Sequence, residues 1–357
     1  MDASEGPLAT PGMNDQSRGQ SHDTHASRHI DTVMNQKTGL PAASMLRRAI
    51  HAGVVVFLAA VVLYGLLAAH SLHDTLAKLD VGLLAWVLGC SVLNYLLRFM
   101  RWHMFLGHLG SRPALGTSLL IYLAGYAFTT TPGKSGEAVR SWWLRAHDVR
   151  LDDSLGALVM ERLCDLAAVL LLALLCLSLL GAGQGILLIG AASGCLLFAL
   201  SLRPVWLAAL GKRLEGRTGL MVRLVRTAID AILRAWRLVT PSMLGMGLLT
   251  GLVAWAAEGW GLYLLVHAIH PGIAPGLVIG IYAASLLAGA ISMIPGGVGG
   301  AEGAMVLLLG AIGLGSTQAM GVTMVSRLAT LWFGVVVGVL CCLVHLLQHR
   351  MRGIHES

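Results

Sequence analysis

The chain alternates long apolar stretches with short polar ones. Apolar segments lie at 49–69, 81–97, 114–130, 154–180, 184–202, 243–268, 273–294 and 318–347. A helix needs about 17–25 mostly apolar residues to cross a bilayer core, so the pattern predicts an all-α integral membrane protein. Two segments run into helix breakers. The third leads into Thr129-Thr130-Thr131-Pro132-Gly133-Lys134-Ser135-Gly136-Glu137-Ala138-Val139-Arg140. The seventh leads into Ile294-Pro295-Gly296-Gly297-Val298-Gly299-Gly300-Ala301-Glu302. Proline removes a helix hydrogen bond and glycine lets the backbone turn. Another helical stretch follows each break. Paired interruptions in the two halves of a membrane chain point to a substrate site near the bilayer midplane.

Two regions depart from the apolar pattern. Residues 1–45 are rich in Ser, Asp, His, Gly and Gln, which predicts a disordered cytosolic tail. The first apolar run begins near Ala49, and no signal peptide is expected before it. In 203–240, Trp206, Leu210, Leu214, Met221, Val225, Ile229, Leu233 and Trp236 recur close to a 3.6 period. Arg213, Arg217, Arg223, Arg226, Arg234 and Arg237 supply the polar surface of this predicted amphipathic helix. An interfacial helix that holds anionic headgroups is one reading, and an ordinary basic loop is the other.

Composition agrees: 56% of residues are hydrophobic, 12% are charged, and the mean hydropathy is +0.74. Soluble domains carry roughly 25% charged residues. The six cysteines all fall in apolar segments without metal-ligand spacing, so they are expected to be packing residues. The net charge of +7 reports membrane orientation here, and nucleic acid is not an expected partner.

The basic residues also decide the topology. A simple in-out count of eight spans places the arginine-rich stretch 203–237 outside, against the positive-inside rule. The count works if each Pro-Gly turn is the tip of a re-entrant hairpin, at about 114–147 and 276–314. Six full spans remain, at 49–69, 81–97, 154–180, 184–202, 243–268 and 318–347, with both termini cytosolic. Of the 25 Lys and Arg residues, all but Lys78, Arg162 and Arg327 then lie on or near the cytosolic side. The hairpins enter from opposite faces, which relates units 81–180 and 243–347 by inverted topology. Sequence echoes accompany this: Ile121-Tyr122 with Ile281-Tyr282, and Glu161-Arg162-Leu163 with Ser326-Arg327-Leu328. The expected organisation is a tail (1–45), one polytopic membrane domain (46–350) with a connector at 203–240, and a cytosolic tail (351–357).

A charge near the bilayer centre costs roughly 2.5–3.5 kcal/mol on insertion scales. The charges that call for a reason are Glu137, Arg140, Glu161, Arg162, Asp165, Glu258, Glu302 and Arg327. Glu161 and Asp165 share a helix face. The inverted repeat predicts the pairs Glu137–Arg162 and Glu302–Arg327. Such pairs either lock hairpins to spans or line a polar cavity for a headgroup. Helix N-termini after Pro132 and Pro295 favour an anionic group, and Lys134 adds a cation beside the first. Gly133, Gly136, Gly296, Gly297 and Gly299 let the backbone approach a ligand. Arg98, Arg101 and Trp102 end the second span, either as a snorkelling interfacial anchor or as contacts to lipid phosphate.

Other chemistry fails on spacing. Gly133-Lys134-Ser135 resembles a P-loop end, but Phe128 stands where the first glycine belongs. His345 and His349 lack the glutamate of a zinc motif. No metal, cofactor or catalytic residue is expected.

Four motifs together resemble the flippase-like family, which comprises the transmembrane region of lysylphosphatidylglycerol synthases and stand-alone relatives, including hopanoid-associated members. They are Arg98-x-x-Arg101-Trp102, Pro132-Gly133-x-x-Gly136-Glu137-x-x-Arg140, Glu161-Arg162-x-x-Asp165 and Pro295-Gly296-Gly297-Val298-Gly299-x-x-Glu302. The resemblance covers about 47–347. It implies a bacterial inner-membrane protein that moves an aminoacyl-phospholipid, a hopanoid or a related lipid. No aminoacyl-transferase domain follows the last span, so lipid aminoacylation is not expected. The partners expected are a membrane lipid with a polar or anionic headgroup and, second, lipid-biosynthesis enzymes. Two other functions compete: a membrane-embedded enzyme acting on headgroups through Glu161 or Asp165, and a non-catalytic subunit of a lipid-synthesis complex.

Overall fold

The computed structural model describes residues 79–129, 138–179, 204–216, 219–292 and 297–355, with isolated positions between 59 and 77 and between 181 and 193. Among these residues every regular element is a helix. Helix α1 (Val81–His108) starts at Asp80, whose carboxylate accepts the Gly82 N–H over 2.8 Å. This satisfies one of the donors orphaned at a helix start. Helix α2 (Leu115–Ala124) tightens into a 3-10 turn, Gly125–Phe128, just before the first Pro-Gly break. Helix α3 (Val139–Leu144) follows the break. Asp148, at φ 59°, then turns the chain into α4 (Leu151–Leu179). At 1.5 Å per residue α4 is about 43 Å long.

The single amphipathic helix expected over 203–240 is two helices, α5 (Val205–Arg213) and α6 (Leu220–Trp236). They part around Gly216 and Gly219, which hold φ values of 80° and 141° that an L side chain resists. Arg234 ties α6 to the start of α4, 2.9 Å from Asp152 and 3.1 Å from Asp153.

Helix α7 (Pro241–Ile269) is capped by Thr240, which accepts the Met243 N–H, and it carries proline in its first turn. Helix α8 (Pro275–Ile291) leads to the second break, and α9 (Gly300–Ala311) follows it. Helix α10 (Ser316–Arg327) continues through a π-helical turn, Leu328–Trp332, into α11 (Phe333–His355). One order therefore occurs twice: a long helix, a short apolar helix that stops at a break, a shorter helix, and a long helix.

The packing crosses between the two series. α1 packs on α7, α4 on α8, and α11 on α2 with its 3-10 turn. Small residues bring the backbones close, as between helices in lipid. A Cβ on Gly338 of α11 would lie 2.2 Å from the Ala127 nitrogen, and one on Gly251 of α7 would lie 2.8 Å from Arg101 Nη1. One buried cluster joins Val169 and Ala173 of α4 to Val278, Ile281 and Tyr282 of α8. A second gathers Tyr95, Phe99, Trp102, Phe105, Tyr122 and Tyr126.

Among the described residues three helices are long and apolar enough to cross a membrane: Val81–His108, Pro241–Ile269 and Ser316–Gln348. The expected tail 1–45 and most of the expected spans 49–69 and 184–202 lie outside the described residues.

Candidate functional site

Four arginines converge on two carboxylates inside the apolar bundle. Glu161 and Asp165 sit one turn apart on α4, so both face α1. Glu161 Oε1 accepts the Tyr122 hydroxyl at 2.7 Å, Arg162 Nη2 at 2.9 Å and Arg98 Nη2 at 3.3 Å. Its other oxygen accepts from Arg140 of α3. Asp165 Oδ1 accepts Arg101 Nη2 at 2.5 Å and the Trp255 indole N–H at 3.1 Å. Arg98 Nη2 lies 3.2 Å from Asp165 Oδ2, and Arg101 Nη1 donates to the Gly247 carbonyl of α7 at 3.3 Å. Charge-assisted bonds of this kind are the stronger ones.

Aromatic rings wrap the cations. The Arg140 guanidinium lies 4.8 Å from the Trp102 ring centre and 4.6 Å from that of Tyr122. Arg98 lies 5.1 Å from the Trp255 ring and 5.7 Å from Tyr126. A cation over a ring face gains roughly 0.5–2 kcal/mol, more when water is excluded.

A second group of charges lies across the bundle. Arg327, the last residue of α10, donates from Nε to Glu302 Oε1 of α9 at 2.6 Å. Glu302 Oε2 reaches back to the Gly299 N–H at 2.6 Å, so one side chain both pairs and caps. Gly297 and Gly299 hold φ values of 67° and 88°. They let the chain leave the break and enter α9 within four residues. Glu258 of α7 accepts the Tyr282 hydroxyl of α8 at 2.5 Å. The π turn begins one residue after Arg327, and its Thr330 carbonyl accepts the Tyr95 hydroxyl at 2.5 Å. Single π turns of this kind concentrate at functional positions.

One cavity of about 310 Å³ joins the two groups. Arg98, Arg162, Asp165 and Trp255 line one part, and Glu258, Tyr282, Arg327 and Thr330 another. Thr129, at the edge of the first break, and Gly297, at the second, also line it. The cavity therefore draws walls from both helix series and both breaks.

Residues 49–338 match the family model for the lysylphosphatidylglycerol synthase TM region. The chain belongs to this family. It is a membrane protein of a lipid-related family, and its apolar helices accord with that. No curated protein matches the chain significantly.

Seen in the structure, the residues singled out by sequence divide into two groups. Arg98, Arg101, Arg140, Glu161, Arg162 and Asp165 form one cluster, and Glu302 pairs with Arg327 as expected from the sequence. Pro132, Gly133, Lys134, Gly136, Glu137, Pro295 and Gly296 lie outside the described residues, and with them the expected Glu137–Arg162 pair. Of the two readings open for Arg98, Arg101 and Trp102, one falls. Arg98, Arg101 and Trp102 are not an exposed membrane-surface anchor. They are 4%, 0% and 0% exposed, because the α4 carboxylates draw the arginines inward and Trp102 packs at a tilt against Tyr122.

Sequence reasoning missed the aromatic walls: Tyr95, Tyr122, Tyr126, Trp255 and Tyr282. Two of them stand in the Ile-Tyr echo at 121–122 and 281–282. Each donates its hydroxyl to a buried carboxylate. That echo was the available signal.

Proposed function

We propose that this protein is a lipid transporter of the bacterial inner membrane, and that its central cavity receives a lipid headgroup near the bilayer midplane. The observation that carries the reading is the cavity itself. It lies inside an apolar bundle, is bordered by both helix breaks, and is lined by Arg98, Arg162 and Arg327 beside Asp165 and Glu258. Ionisable side chains within membrane helices are costly and concentrate along substrate paths.

The proposed topology is six spans and two re-entrant hairpins in an inverted repeat, with both termini cytosolic. Its support is the crossed packing. The last helix of each series lies against the short helix before the break of the other, α4 on α8 and α11 on α2. The post-break pairs Arg140–Glu161 and Glu302–Arg327 also correspond in position, with charges reversed. Transporters built from inverted repeats place their sites at such an interface.

An enzymatic role for Glu161 or Asp165 is less well supported. Both oxygens of Glu161 already accept from guanidinium groups, one of them also from the Tyr122 hydroxyl. Asp165 accepts through Oδ1 from Arg101 and the Trp255 indole, while its Oδ2 lies 3.2 Å from the Arg98 guanidinium. A general base needs an open lone pair within reach of its substrate.

The test is lipid translocation in vesicles. Purified protein is reconstituted with a fluorescent phosphatidylglycerol analogue, and movement between leaflets is followed by chemical quenching of the outer label. Acceleration over protein-free vesicles is expected. Equal rates across several lipid classes, with and without protein, would overturn the reading.

A further inference from the structure

The walls of the central cavity are unevenly buried. Tyr95, Arg98, Asp165, Trp255, Tyr282 and Arg327, on five helices, are all buried. Among the described residues, the lining residues that reach the protein surface are confined to three places. Arg162 and Leu166 lie on α4, Leu286, Leu287 and Ala290 on α8, and Gly297 with Leu331 at the second break and the π turn. The cavity thus has a mouth on one side, framed chiefly by α4 and α8.

The helices that frame it are joined further along. Val169 and Ala173 of α4 share a buried cluster with Val278, Ile281 and Tyr282 of α8. Leu166 is 41% exposed, and Ala290 is exposed opposite in the same cavity. On α4, Arg162 comes 11 residues after the helix start at Leu151, about 17 Å along the axis.

The chemistry of the rim is specific. Among the described residues, its exposed and half-buried side chains are four leucines, an alanine and one guanidinium, that of Arg162, whose side chain is 28% exposed. An opening to water surrounded by leucines would leave apolar surface wetted. An opening to hydrocarbon would not. The buried walls set arginines, carboxylates and tyrosine hydroxyls into an otherwise apolar lining. Size adds a limit. At about 310 Å³ the cavity lies at the lower end of the roughly 300–1,000 Å³ of small-ligand sites, the size for a headgroup.

We infer that the mouth between α4 and α8 is a lateral portal through which a phospholipid seats its headgroup from within the bilayer, with its phosphate at Arg162 and its acyl chains outside between Leu166 and Ala290. This rests on the transporter reading, and it adds the route of entry, the class of ligand and the residues at the threshold. The ligand is an amphiphile with an anionic phosphate next to its chains, and only those chains stay in the hydrocarbon.

The test plugs the mouth. Leu166→Trp and Ala290→Trp are made singly, with Leu340→Trp, an exposed position on α11 outside the cavity lining, as control. Each protein is checked for a monodisperse profile and wild-type melting temperature. Each is then assayed for translocation of fluorescent phosphatidylglycerol in vesicles, and for retained endogenous lipid by native mass spectrometry. The portal predicts at least a tenfold loss of translocation and loss of retained lipid in both mouth variants, with the control within twofold of wild type. Wild-type translocation in well-folded mouth variants overturns the portal while leaving the transporter reading in place. If wild-type protein moves no lipid, the transporter reading fails. Retained lipid that disappears with Leu166→Trp would then still support entry at this mouth, and lipid retained unchanged would overturn it. Should either tryptophan variant misfold, Leu166→Phe and Leu287→Phe provide smaller plugs with the same readout.

Discussion

Arg327 and Glu302 form a buried ion pair at 2.6 Å, and the second oxygen of Glu302 caps α9 through the Gly299 N–H. A single carboxylate therefore joins the helix after the second break to the long helix that follows, and it also fixes how the chain leaves the break. Removing one partner of a buried pair costs roughly 3–5 kcal/mol, because the other charge is left behind. Glu302→Ala and Arg327→Ala should each lower stability by about that amount. The exchange Glu302→Arg with Arg327→Glu should recover much of the loss but not all, since the cap on Gly299 is gone. Melting temperature in detergent checks this, and no recovery in the exchange would show that the pair is not the source of the loss.

Arg98 and Arg101 stand one turn apart on α1 and should behave differently. Arg101 is fully buried, ties Asp165 to the Gly247 carbonyl, and does not line the cavity. Arg98 lines it. Arg101→Met is expected to lower stability by about 1.5–3 kcal/mol through the lost charge-assisted bond to Asp165, which keeps Arg98 at 3.2 Å. Arg98→Lys keeps the charge but loses the planar group stacked between Tyr126 and Trp255. It should reduce lipid translocation more than tenfold with a smaller change in melting temperature. Equal effects on both measurements in both variants would contradict this division.

The tyrosine hydroxyls should carry measurable energy. Tyr122→Phe removes the 2.7 Å bond to Glu161, and Tyr282→Phe the 2.5 Å bond to Glu258. Hydrogen bonds to charged groups contribute roughly 1.5–3 kcal/mol. Each variant should lose about that much in chemical denaturation. A loss below about 0.5 kcal/mol would mean the carboxylate finds another donor.

Gly338 is the most constrained contact between α11 and the turn before the first break. A Cβ there would meet the Ala127 nitrogen at 2.2 Å, which is backbone and cannot rotate away. Overpacking costs typically 1–3 kcal/mol and more when backbone must move. Gly338→Ala should therefore destabilise by at least about 2 kcal/mol. Gly89→Ala on α1, with nothing within 4 Å of the new atom, should be neutral or slightly stabilising. Thermal melts of the two variants side by side decide it.

Arg234 is the joint between α6 and α4. It reaches Asp152 at 2.9 Å and Asp153 at 3.1 Å, and Asp153 also accepts from Ser111 at 3.1 Å. Arg234→Ala should speed amide hydrogen exchange across α6 by tenfold or more while leaving α1 and α7 protected. Unchanged exchange in α6 would mean that the contacts of Ile229, Ala231 and Ala235 suffice to hold it.

The sequence by itself determined the helical class, the two breaks and most of the charged residues at the candidate site. These follow from local physics. A span needs an apolar run, Pro-Gly ends a helix, and an ionised group inside hydrocarbon is costly enough to be conspicuous. The pairing of Glu302 with Arg327 was also legible, because the repeat placed one after the break and the other on the following helix. Only the tertiary structure decided which face each arginine presents. Arg98 and Arg101 read equally well as surface anchors until α4 brought Glu161 and Asp165 against them. The same holds for the aromatic walls and for the mouth between α4 and α8. Tyrosine and leucine are ordinary in apolar helices, and their roles here depend on which neighbour leaves them buried or open. The break in the connector at Gly216 and Gly219 was missed for a related reason, since a 3.6 period continues in register across a short turn and periodicity alone does not register the interruption.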